Sequence, residues 1–308
     1  MTKMFTIVVC TYNSEKRIEK CLNAILNLES LNDLVQKVIV VDNNSSDKTK
    51  KIILDYSNTS KIIEYQFEGK QGLSYARKHA INALSDWVIY VDDDNILDSK
   101  WLIELKKVIE KNKKAGVVNG AVIAVPEEPL NDDEKILLDI IYRDLACTHL
   151  REPLETDKKN SIPMGAGMCV LTKALQGVYK NGWLKLIGRN GENLSSGEDG
   201  ELCRAILCQG YQYISNYKMK LYHIIPKSRL KIEYIEKLIY GLVQGRLEFL
   251  QEQKFGNLKC FFRKLKYMQL KKKLEKNNHK HCSKKEYYEF YITSLITTSY
   301  LKILGNHE

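Results

Sequence analysis

The chain has no pair of cysteines in a Cys-x-x-Cys arrangement, although eight cysteines occur among its 308 residues. Zinc knuckles and the disulfide frameworks of small secreted domains both depend on closely spaced cysteines, so neither is expected here. Several of the cysteines fall in apolar contexts typical of strands and helices. We therefore predict buried free thiols in a reducing compartment.

Long apolar runs are also missing. No stretch offers the roughly 18 consecutive apolar residues of a membrane-spanning helix. The nearest candidate, residues 287–304, is broken by Glu289, Lys302 and several Ser and Thr. No basic region and cleavage site precede the first apolar run, so we expect no secretion signal. The sequence favours a cytoplasmic protein, soluble or peripheral at the inner face of a membrane.

Positive charge is concentrated near the C-terminus. The net charge is +10, and residues 254–285 hold twelve Lys or Arg against one acid, Glu275. Apolar side chains are interspersed with these charges, which fits a segment lying on an anionic membrane surface. A solvated helix in a C-terminal bundle is the alternative. Nucleic acid is not expected as a partner, because no nucleic-acid-binding module accompanies the charge.

The first half of the chain alternates apolar, strand-like runs with segments of helical periodicity. This pattern predicts an α/β fold with a sheet covered by helices on both faces. The predicted strands are 5–10, 37–41, 61–67, 87–91, 116–125 and 211–225, and the predicted helices are 15–28, 46–56, 72–84 and 198–209. A weakly patterned excursion follows Pro126 and runs to Pro163. Beyond about residue 228 the chain becomes helical and basic, so we predict a separate C-terminal extension over 229–308.

Three carboxylates and an amide, Asp92-Asp93-Asp94-Asn95, stand directly behind the fourth predicted strand. Like charges side by side repel, so a nearby cation normally relieves the repulsion. In open α/β sheets, ligands bind outside the carboxyl ends of the strands. The cluster therefore predicts a metal site. The alternative is a solvated acidic turn in which Asn95 or Asp98 caps the following helix.

A second acidic cluster, Gly197-Glu198-Asp199-Gly200-Glu201, opens a predicted helix. Ordinary N-terminal capping explains acids in a first helical turn, because they interact favourably with the helix dipole. Some chemistry needs both a metal-bound diphosphate and a separate carboxylate that takes a proton from a hydroxyl. That chemistry would require two such clusters, far apart in sequence and adjacent in space.

Six motifs follow one another along the chain: Ile7–Asn13, Val38–Asp47, Gly72–Arg77, Val91–Asp94, Gly165–Gly167 and Gly197–Asp199. Their order resembles the family 2 glycosyltransferases, which are inverting nucleotide-sugar enzymes of the GT-A fold. The resemblance covers roughly residues 4 to 226. It implies a GT-A domain with a Rossmann-like sheet over 1–228, with a nucleotide-binding half of about 1–95 and an acceptor half of about 96–228. It also implies transfer of a hexose or N-acetylhexosamine from a UDP-sugar to a hydroxyl of a glycan, lipid-linked or protein acceptor.

The resemblance implies a role for each matching position. Asp199 matches the catalytic base. Asp92 and Asp94 match the outer members of the Asp-x-Asp motif that binds Mn²⁺ or Mg²⁺, with Asp92 nearer the ribose and Asp93 as the variable middle position. His223 lies where some relatives place a metal-binding histidine, and a core histidine is the alternative. The positions expected to contact the nucleotide or its sugar are Thr11, Tyr12, Asn13, Asp42, Asn44, Gly72, Arg77, Asp92, Gly165, Ala166 and Gly167.

Three of these expectations are more specific. Asp42 matches the acid that accepts a hydrogen bond from the uracil imide. Arg77 matches a residue near the diphosphate, where a planar guanidinium suits phosphate oxygens; an exposed helical arginine is the alternative. The small residues 165–167 fit a wall that the donor sugar approaches closely, and a plain turn explains them as well.

A sugar nucleotidyltransferase and a non-catalytic scaffold are the main alternatives to a glycosyltransferase. A nucleotidyltransferase that activates sugars shares the fold and the metal chemistry, but its usual Gly-rich, basic first loop is missing. A non-catalytic GT-A scaffold that binds a membrane or partner through the basic segment is the alternative from another class. A dinucleotide-dependent oxidoreductase and a P-loop NTPase are disfavoured, because the glycine motifs that would hold their phosphates are absent.

Overall fold

The computed structural model describes residues 3–153, 164–184, 186, 188–190, 194–252 and 283–305. The chain divides into two compact units. The first unit comprises Met1–Val125, Ala146–Ile187 and Glu198–Ile225, and the second comprises Pro126–Leu145, Gly188–Gly197 and Pro226–Glu308. The predicted domain boundary near residue 228 stays a prediction.

An eight-stranded mixed sheet forms the centre of the first unit. Its strands are β1 (Phe5–Thr11), β2 (Val35–Asp42), β3 (Ile63–Phe67), β4 (Trp87–Asp92), β5 (Asn95–Leu97), β6 (Ala115–Pro126), β7 (Cys169–Leu171) and β8 (Gln212–Ile225). They are ordered β3-β2-β1-β4-β7-β6-β8-β5. The first four strands pair in parallel, whereas β7 pairs antiparallel with β4 and β6, and β5 pairs antiparallel with β8. Every residue of β1 is buried, as expected for a central parallel strand covered on both faces.

Helices connect these strands. In chain order they are α1 (Ile18–Leu26), α2 (Leu31–Leu34), α3 (Thr49–Thr59), α4 (Leu73–Lys78), α5 (Trp101–Lys111), α6 (Asp132–Ile141), α7 (Thr172–Lys180), α8 (Glu198–Leu207), α9 (Ile232–Glu252) and α10 (Lys284–Gly305). A short 3₁₀ turn, His79–Asn82, continues α4. The buried face of α1 consists of Ile18, Cys21, Leu22 and Ile25, the helical spacing that predicted this helix. The predicted α/β class is confirmed.

Strands β4 and β5 are joined by only two residues, Asp93 and Asp94. In the strand order, β5 lies four positions from β4. A flat sheet would therefore separate them by about 19 Å, at about 4.8 Å per strand. Three consecutive Cα–Cα steps reach at most about 11 Å. The sheet must curl so that its β5 edge comes back to the carboxyl end of β4.

The second unit contains helices α6, α9 and α10. The segment after Pro126 was expected to be weakly patterned, but α6 begins there with a capping box between Asn131 and Glu134. The spacing of these two residues ahead of an apolar run is a recognisable helix start that sequence reasoning missed. Ion pairs from Lys284 and Lys285 on α10 reach acids of α6, at 2.9 and 2.5 Å. Residues 154–163 lie outside the described part of the chain.

The thiol and membrane predictions have separate outcomes. Five described cysteines are free and buried (Cys10, Cys21, Cys147, Cys169 and Cys203), and burial raises the pKa of Cys10 to about 12. Cys208 is also free but exposed, so the prediction of buried thiols is wrong at that position. Among the described residues, no helix has both the length and the apolar character needed to span a membrane. The basic segment 254–285 falls outside the described residues except for its last three positions.

Candidate active site

The carboxyl ends of three neighbouring strands carry the predicted nucleotide-binding residues. Parallel pairing sets Thr11 at the end of β1 opposite Asp42 at the end of β2, and Cys10 opposite Asp92 at the end of β4. Because parallel strands end at the same edge of the sheet, the loops that follow them lie together. The structure thus brings Thr11, Asp42 and Asp92 to one edge.

Asp42 is buried, and both of its carboxylate oxygens accept hydrogen bonds. Oδ1 accepts from the Ser45 backbone N–H at 2.9 Å, and Oδ2 accepts from the Tyr65 hydroxyl at 3.2 Å. Burial, followed by the negative charge of Asp42, raises the pKa of Tyr65 to about 12. The tyrosine therefore stays a hydrogen-bond donor at neutral pH and fixes the orientation of the acid.

The loop after β1 is tied to the loop after β2. The Asn13 backbone N–H donates to Ser45 Oγ at 3.0 Å, and the Ser46 N–H donates to Asn13 Oδ1 at 2.8 Å. Asn13 and Asn44 both have positive φ, at 47° and 67°, a region that asparagine tolerates better than most residues. Tyr12 and Asn44 are exposed. Both side chains are therefore accessible to a ligand at this edge.

Sequence reasoning missed Asn43, which positions Gly72. The buried Asn43 amide donates to the backbone oxygens of Lys70 and Glu68, at 2.8 and 3.2 Å, and its Oδ1 accepts from the Gly72 N–H at 2.8 Å. Gly72 has a φ of 140°, which disfavours any side chain there. The signal available in the sequence was an amide directly after an apolar strand and Asp42.

Arg77 on α4 is buried against the start of α8. Its Nη1 pairs with Asp199 Oδ1 and lies 3.6 Å from Glu198 Oε1, and its guanidinium carbon lies 5.5 Å from the centre of the Tyr90 ring. Burial lowers the pKa of Arg77, but the carboxylates of Asp199 and Glu198 outweigh this and hold the pKa above its ordinary value. The alternative of an exposed helical arginine is therefore wrong. The Asp199 side chain is 26% exposed, so it remains reachable from solvent.

Gly165 leaves no room for a side chain, because Asp199 and Arg77 lie directly beside it. A Cβ on Gly165 would lie 2.3 Å from Asp199 Oδ2 and 2.5 Å from Arg77 Nη2. The fully buried Asn119 holds this segment by donating to the Ala166 backbone oxygen at 3.1 Å and by accepting from the Met164 N–H at 3.0 Å. Gly167 has a φ of 66°, which makes it the turn residue of the three.

Asp94 and His223 face each other across the turn between β4 and β5. Asp94 Oδ2 lies 3.3 Å from His223 Nε2, and the other ring nitrogen of His223 lies 3.5 Å from Cys147 Sγ. Burial lowers the pKa of His223, but the Asp94 carboxylate reverses this and raises it to about 10. His223 is therefore a buried histidine with partners in Asp94 and Cys147, which fits the alternative of a core histidine, and its role as a metal ligand stays a prediction.

Each carboxylate of the acidic turn has a cationic side chain near it. Asp93 pairs with Arg17 at 3.2 Å, and Asp94 pairs with His223. For Asp92, burial raises the pKa to about 6, against the opposing effect of Arg77. The protein itself thus relieves part of the repulsion that was expected to require a metal. The alternative of a solvated turn is also wrong, because Asp93, Asp94 and Asn95 are buried.

Asp94 and His223 are the two side chains that would hold a divalent cation at this turn, with a bound ligand supplying further oxygens. Two neighbouring ligands of an octahedral ion lie about 3 Å apart, which the 3.3 Å between Asp94 Oδ2 and His223 Nε2 approaches. No group of three or more His, Cys, Asp or Glu within the described ranges could hold a metal ion. Mg²⁺ sites commonly use one or two carboxylates with phosphate oxygens and water, so a diphosphate would complete the coordination. Ligation requires a neutral imidazole, so a metal and a proton compete for His223.

The chain is similar in sequence to known glycosyltransferases. The family model described as Glycosyl transferase family 2 matches residues 6–176, more than half of the chain. Over 109 residues the chain is 35% identical to the SPbeta prophage-derived glycosyltransferase SunS of Bacillus subtilis, covering 35% of this chain and 24% of that protein. It is 30% identical over 110 residues to the poly(ribitol-phosphate) beta-N-acetylglucosaminyltransferase TarS of Staphylococcus aureus, covering 35% and 19%. The chain thus spans a quarter or less of the length of these curated relatives.

A solved structure shows the same fold. The crystal structure of S. aureus TarS 1–349 in complex with UDP-GlcNAc matches with a TM-score of 0.50 and 19% sequence identity, covering 79% of this chain and 66% of that chain. At this identity the likeness concerns the fold alone, and it confirms the predicted GT-A type of α/β sheet. The family match ends at residue 176, so Asp199 and His223 lie beyond it. Their placement in the site rests on their contacts with Arg77 and Asp94.

Proposed function

Because the chain belongs to glycosyl transferase family 2, we propose that it transfers a hexose or N-acetylhexosamine from a UDP-sugar to an acceptor hydroxyl with inversion. Its class as a transferase enzyme follows from the family. The choice of donor is supported by TarS, which is named a beta-N-acetylglucosaminyltransferase and has been crystallised with UDP-GlcNAc. UDP-GlcNAc is therefore the first donor to test.

The observation that carries the proposal is the pairing of Asp199 with Arg77 beside the acidic turn. Two buried groups, Arg77 and Glu198, surround Asp199, whose own carboxylate is partly exposed. Asp199 is thus the member of this group that an acceptor can reach. The charges of Arg77 and Asp199 both influence the pKa of Asp92 at the end of β4, which supports a position of the Asp199 carboxylate near the strand ends.

In the proposed reaction Asp199 acts as general base. The acceptor O–H proton passes to the Asp199 carboxylate, and the acceptor oxygen forms a bond to the anomeric carbon. The bond between that carbon and the diphosphate oxygen breaks, and UDP leaves with the electron pair. Attack opposite to the leaving group inverts the anomeric configuration.

The strand-end residues would bind the donor. The nucleoside side would consist of residues at the ends of β1 and β2 and on the loops that follow: Thr11, Tyr12, Asn13, Asp42 and Asn44. The diphosphate and ribose would be faced by Asp92 and by two residues between β3 and the end of α4, Gly72 and Arg77. The donor sugar would be bordered by Gly165, Ala166 and Gly167. Asp94 and His223 would hold Mn²⁺ or Mg²⁺, which when bound supplies positive charge for the departing diphosphate.

Asp199→Asn tests the assignment of the base. We expect UDP affinity to be nearly unchanged and release of UDP from UDP-GlcNAc to fall by a factor of about 100 to 10,000. Hydrolysis of a UDP- and GDP-sugar panel serves as the assay, because slow transfer to water requires no knowledge of the acceptor. Asp55→Asn is the matched control, since Asp55 is exposed on α3.

A second variant separates loss of the base from disturbance of Arg77. Glu198→Gln removes the other carboxylate that faces Arg77 and leaves Asp199 in place, so its effect should be much smaller. Full turnover by Asp199→Asn would mean that another residue is the base. If UDP with Mn²⁺ failed to raise the Tm of the wild type above that with chelator, the proposed metal-assisted donor binding would be wrong.

The acceptor in this proposal is a hydroxyl of a glycan, a lipid-linked saccharide or a protein. We also propose that residues 254–285 bind an anionic membrane surface, on the basis of their charge in the sequence. Cosedimentation with vesicles of neutral lipid, with and without anionic lipid, tests this. Equal binding to both kinds of vesicle would contradict it.

A further inference from the structure

Asp93 has no role in the proposed reaction, although it lies between two residues that do. In the sequence it is the variable middle position, whose replacement is expected to be milder than that of either neighbour. In the structure its side chain is buried and both oxygens are engaged. Oδ2 accepts from Thr11 Oγ1 at 2.8 Å, and Oδ1 accepts from Arg17 Nη2 and Nε at 3.2 and 3.3 Å. The Tyr12 backbone N–H also donates to this carboxylate.

We propose that Asp93 is a positioning residue for the donor nucleotide, which it serves by fixing the loop Thr11–Asn13 against the acidic turn. This inference rests on the proposed function, because it assumes that the loop receives the nucleoside and that Asp92 and Asp94 face the diphosphate. It assigns Asp93 a task distinct from metal binding and from catalysis.

The loop needs such an anchor. Thr11 is buried, but Tyr12 is 38% exposed and Asn13 has a φ of 47°, so burial and backbone preference do not hold these two residues in place. On one side Asn13 exchanges hydrogen bonds with Ser45 and Ser46. On the other side Asp93 accepts from Thr11 and Tyr12. The loop is therefore clamped between the turn after β2 and the acidic turn after β4.

The Asp93 clamp joins the two halves of the proposed donor site. Asp93 is covalently next to Asp92 and Asp94, and it accepts hydrogen bonds from Thr11 and Tyr12, the first two residues of the loop Thr11–Asn13. Asp93 therefore fixes the distance between the loop Thr11–Asn13, which would bind the nucleoside, and the carboxylates of Asp92 and Asp94, which would lie at the diphosphate. Arg17, whose side chain is 33% exposed, supplies the countercharge that a buried carboxylate requires.

Asp93→Asn tests the inference. The amide nearly preserves volume but loses the charge and replaces one acceptor oxygen by a donor, so it cannot accept from both Thr11 and Arg17 as the carboxylate does. We expect the Kd for UDP and the KM for UDP-GlcNAc to rise together by about tenfold, with kcat at saturating donor changed by less than about threefold. Thr11→Val should weaken UDP binding too, because it removes the hydroxyl that donates to Asp93.

Arg17→Gln is the matched control for the ion pair. It removes the charged partner of Asp93 and leaves the hydrogen bonds to Thr11 and Tyr12 in place. It should therefore lower the Tm about as much as Asp93→Asn does, while the Kd for UDP stays within about threefold of the wild-type value. A Kd unchanged by Asp93→Asn, or raised equally by Arg17→Gln, overturns the inference, because the residue would then serve stability alone. The wild type is measured first. If it does not bind UDP, both the proposed function and this inference are wrong. If it binds UDP and Asp93→Asn leaves the Kd unchanged, only the inference is wrong.

Discussion

Gly165→Ala places a methyl group against the two side chains at the centre of the site. The new Cβ would lie 2.3 and 2.6 Å from the Asp199 carboxylate oxygens and 2.5 Å from Arg77 Nη2. Restoring an ordinary contact of about 3.5 Å requires these atoms to retreat by about 1 Å. Both groups are ends of flexible side chains, so the backbone need not move. The free energy of unfolding should fall by no more than about 1–3 kcal/mol.

The effect on turnover should be much larger than the effect on stability. A misplacement of about 1 Å at the reacting atoms costs about 100-fold in rate. We therefore expect kcat for UDP release from UDP-GlcNAc to fall about 100-fold, while the Tm falls by less than about 10 °C. The Kd for UDP should change less than kcat, because the nucleoside contacts lie on other loops and only Arg77 is displaced near the diphosphate. Initial rates, thermal unfolding and UDP titration measure the three quantities on the same preparation.

Gly200→Ala is the matched control, since it makes the same chemical change next to Asp199 on α8. No heavy atom lies within 4 Å of a Cβ at Gly200. Because Gly200 is exposed within the helix, alanine should stabilise the protein by about 0.5–1 kcal/mol and leave turnover unchanged. If Gly165→Ala kept kcat within about twofold of the wild type, Asp199 would not be held at the reacting centre by this packing.

Two further predictions concern stability. Gly120→Ala should lower the free energy of unfolding, measured in urea, by more than about 3 kcal/mol. The new Cβ would lie 1.9 Å from the Met219 backbone oxygen on β8, and a backbone atom cannot rotate away as a side chain can. A variant as stable as the wild type would contradict the close approach of β6 and β8. Glu68→Gln should reduce acid sensitivity. The Lys70 N–H holds the pKa of Glu68 below its ordinary value, so the stabilisation is present above the unfolded pKa of about 4.3 and is lost as pH falls through the lower folded pKa. Identical slopes of unfolding free energy against pH for variant and wild type would refute this.

The strands and their polar ends could be predicted because each is a local signal. Apolar runs followed by Thr11, Asp42 and Asp92 predicted β1, β2 and β4, and parallel pairing then places their ends together. Strands β5 and β7 have three residues each, too few for periodicity to show. The capping box that starts α6 was present in the sequence and was overlooked.

The partners of the charged residues could not be predicted, because they are distant in sequence. Arg17 reaches Asp93 across 76 positions, and Arg77 reaches Asp199 across 122. A metal at the acidic turn and a diphosphate near Arg77 stay predictions. The structure shows side-chain cations at the turn and a carboxylate at Arg77, and neither pairing leaves a local pattern in the sequence.

Surface loops usually accept insertions and deletions, since their length is seldom fixed by what they connect. The link between β4 and β5 is different, because it is a two-residue turn that joins a strand in the middle of the curled sheet to the strand at its edge. One extra residue would shift β5 by one position against β8 and send its side chains to the opposite face, so that Asn95 would no longer stand opposite His223. Variation between Asp92 and Asn95 should therefore take the form of substitution at constant length.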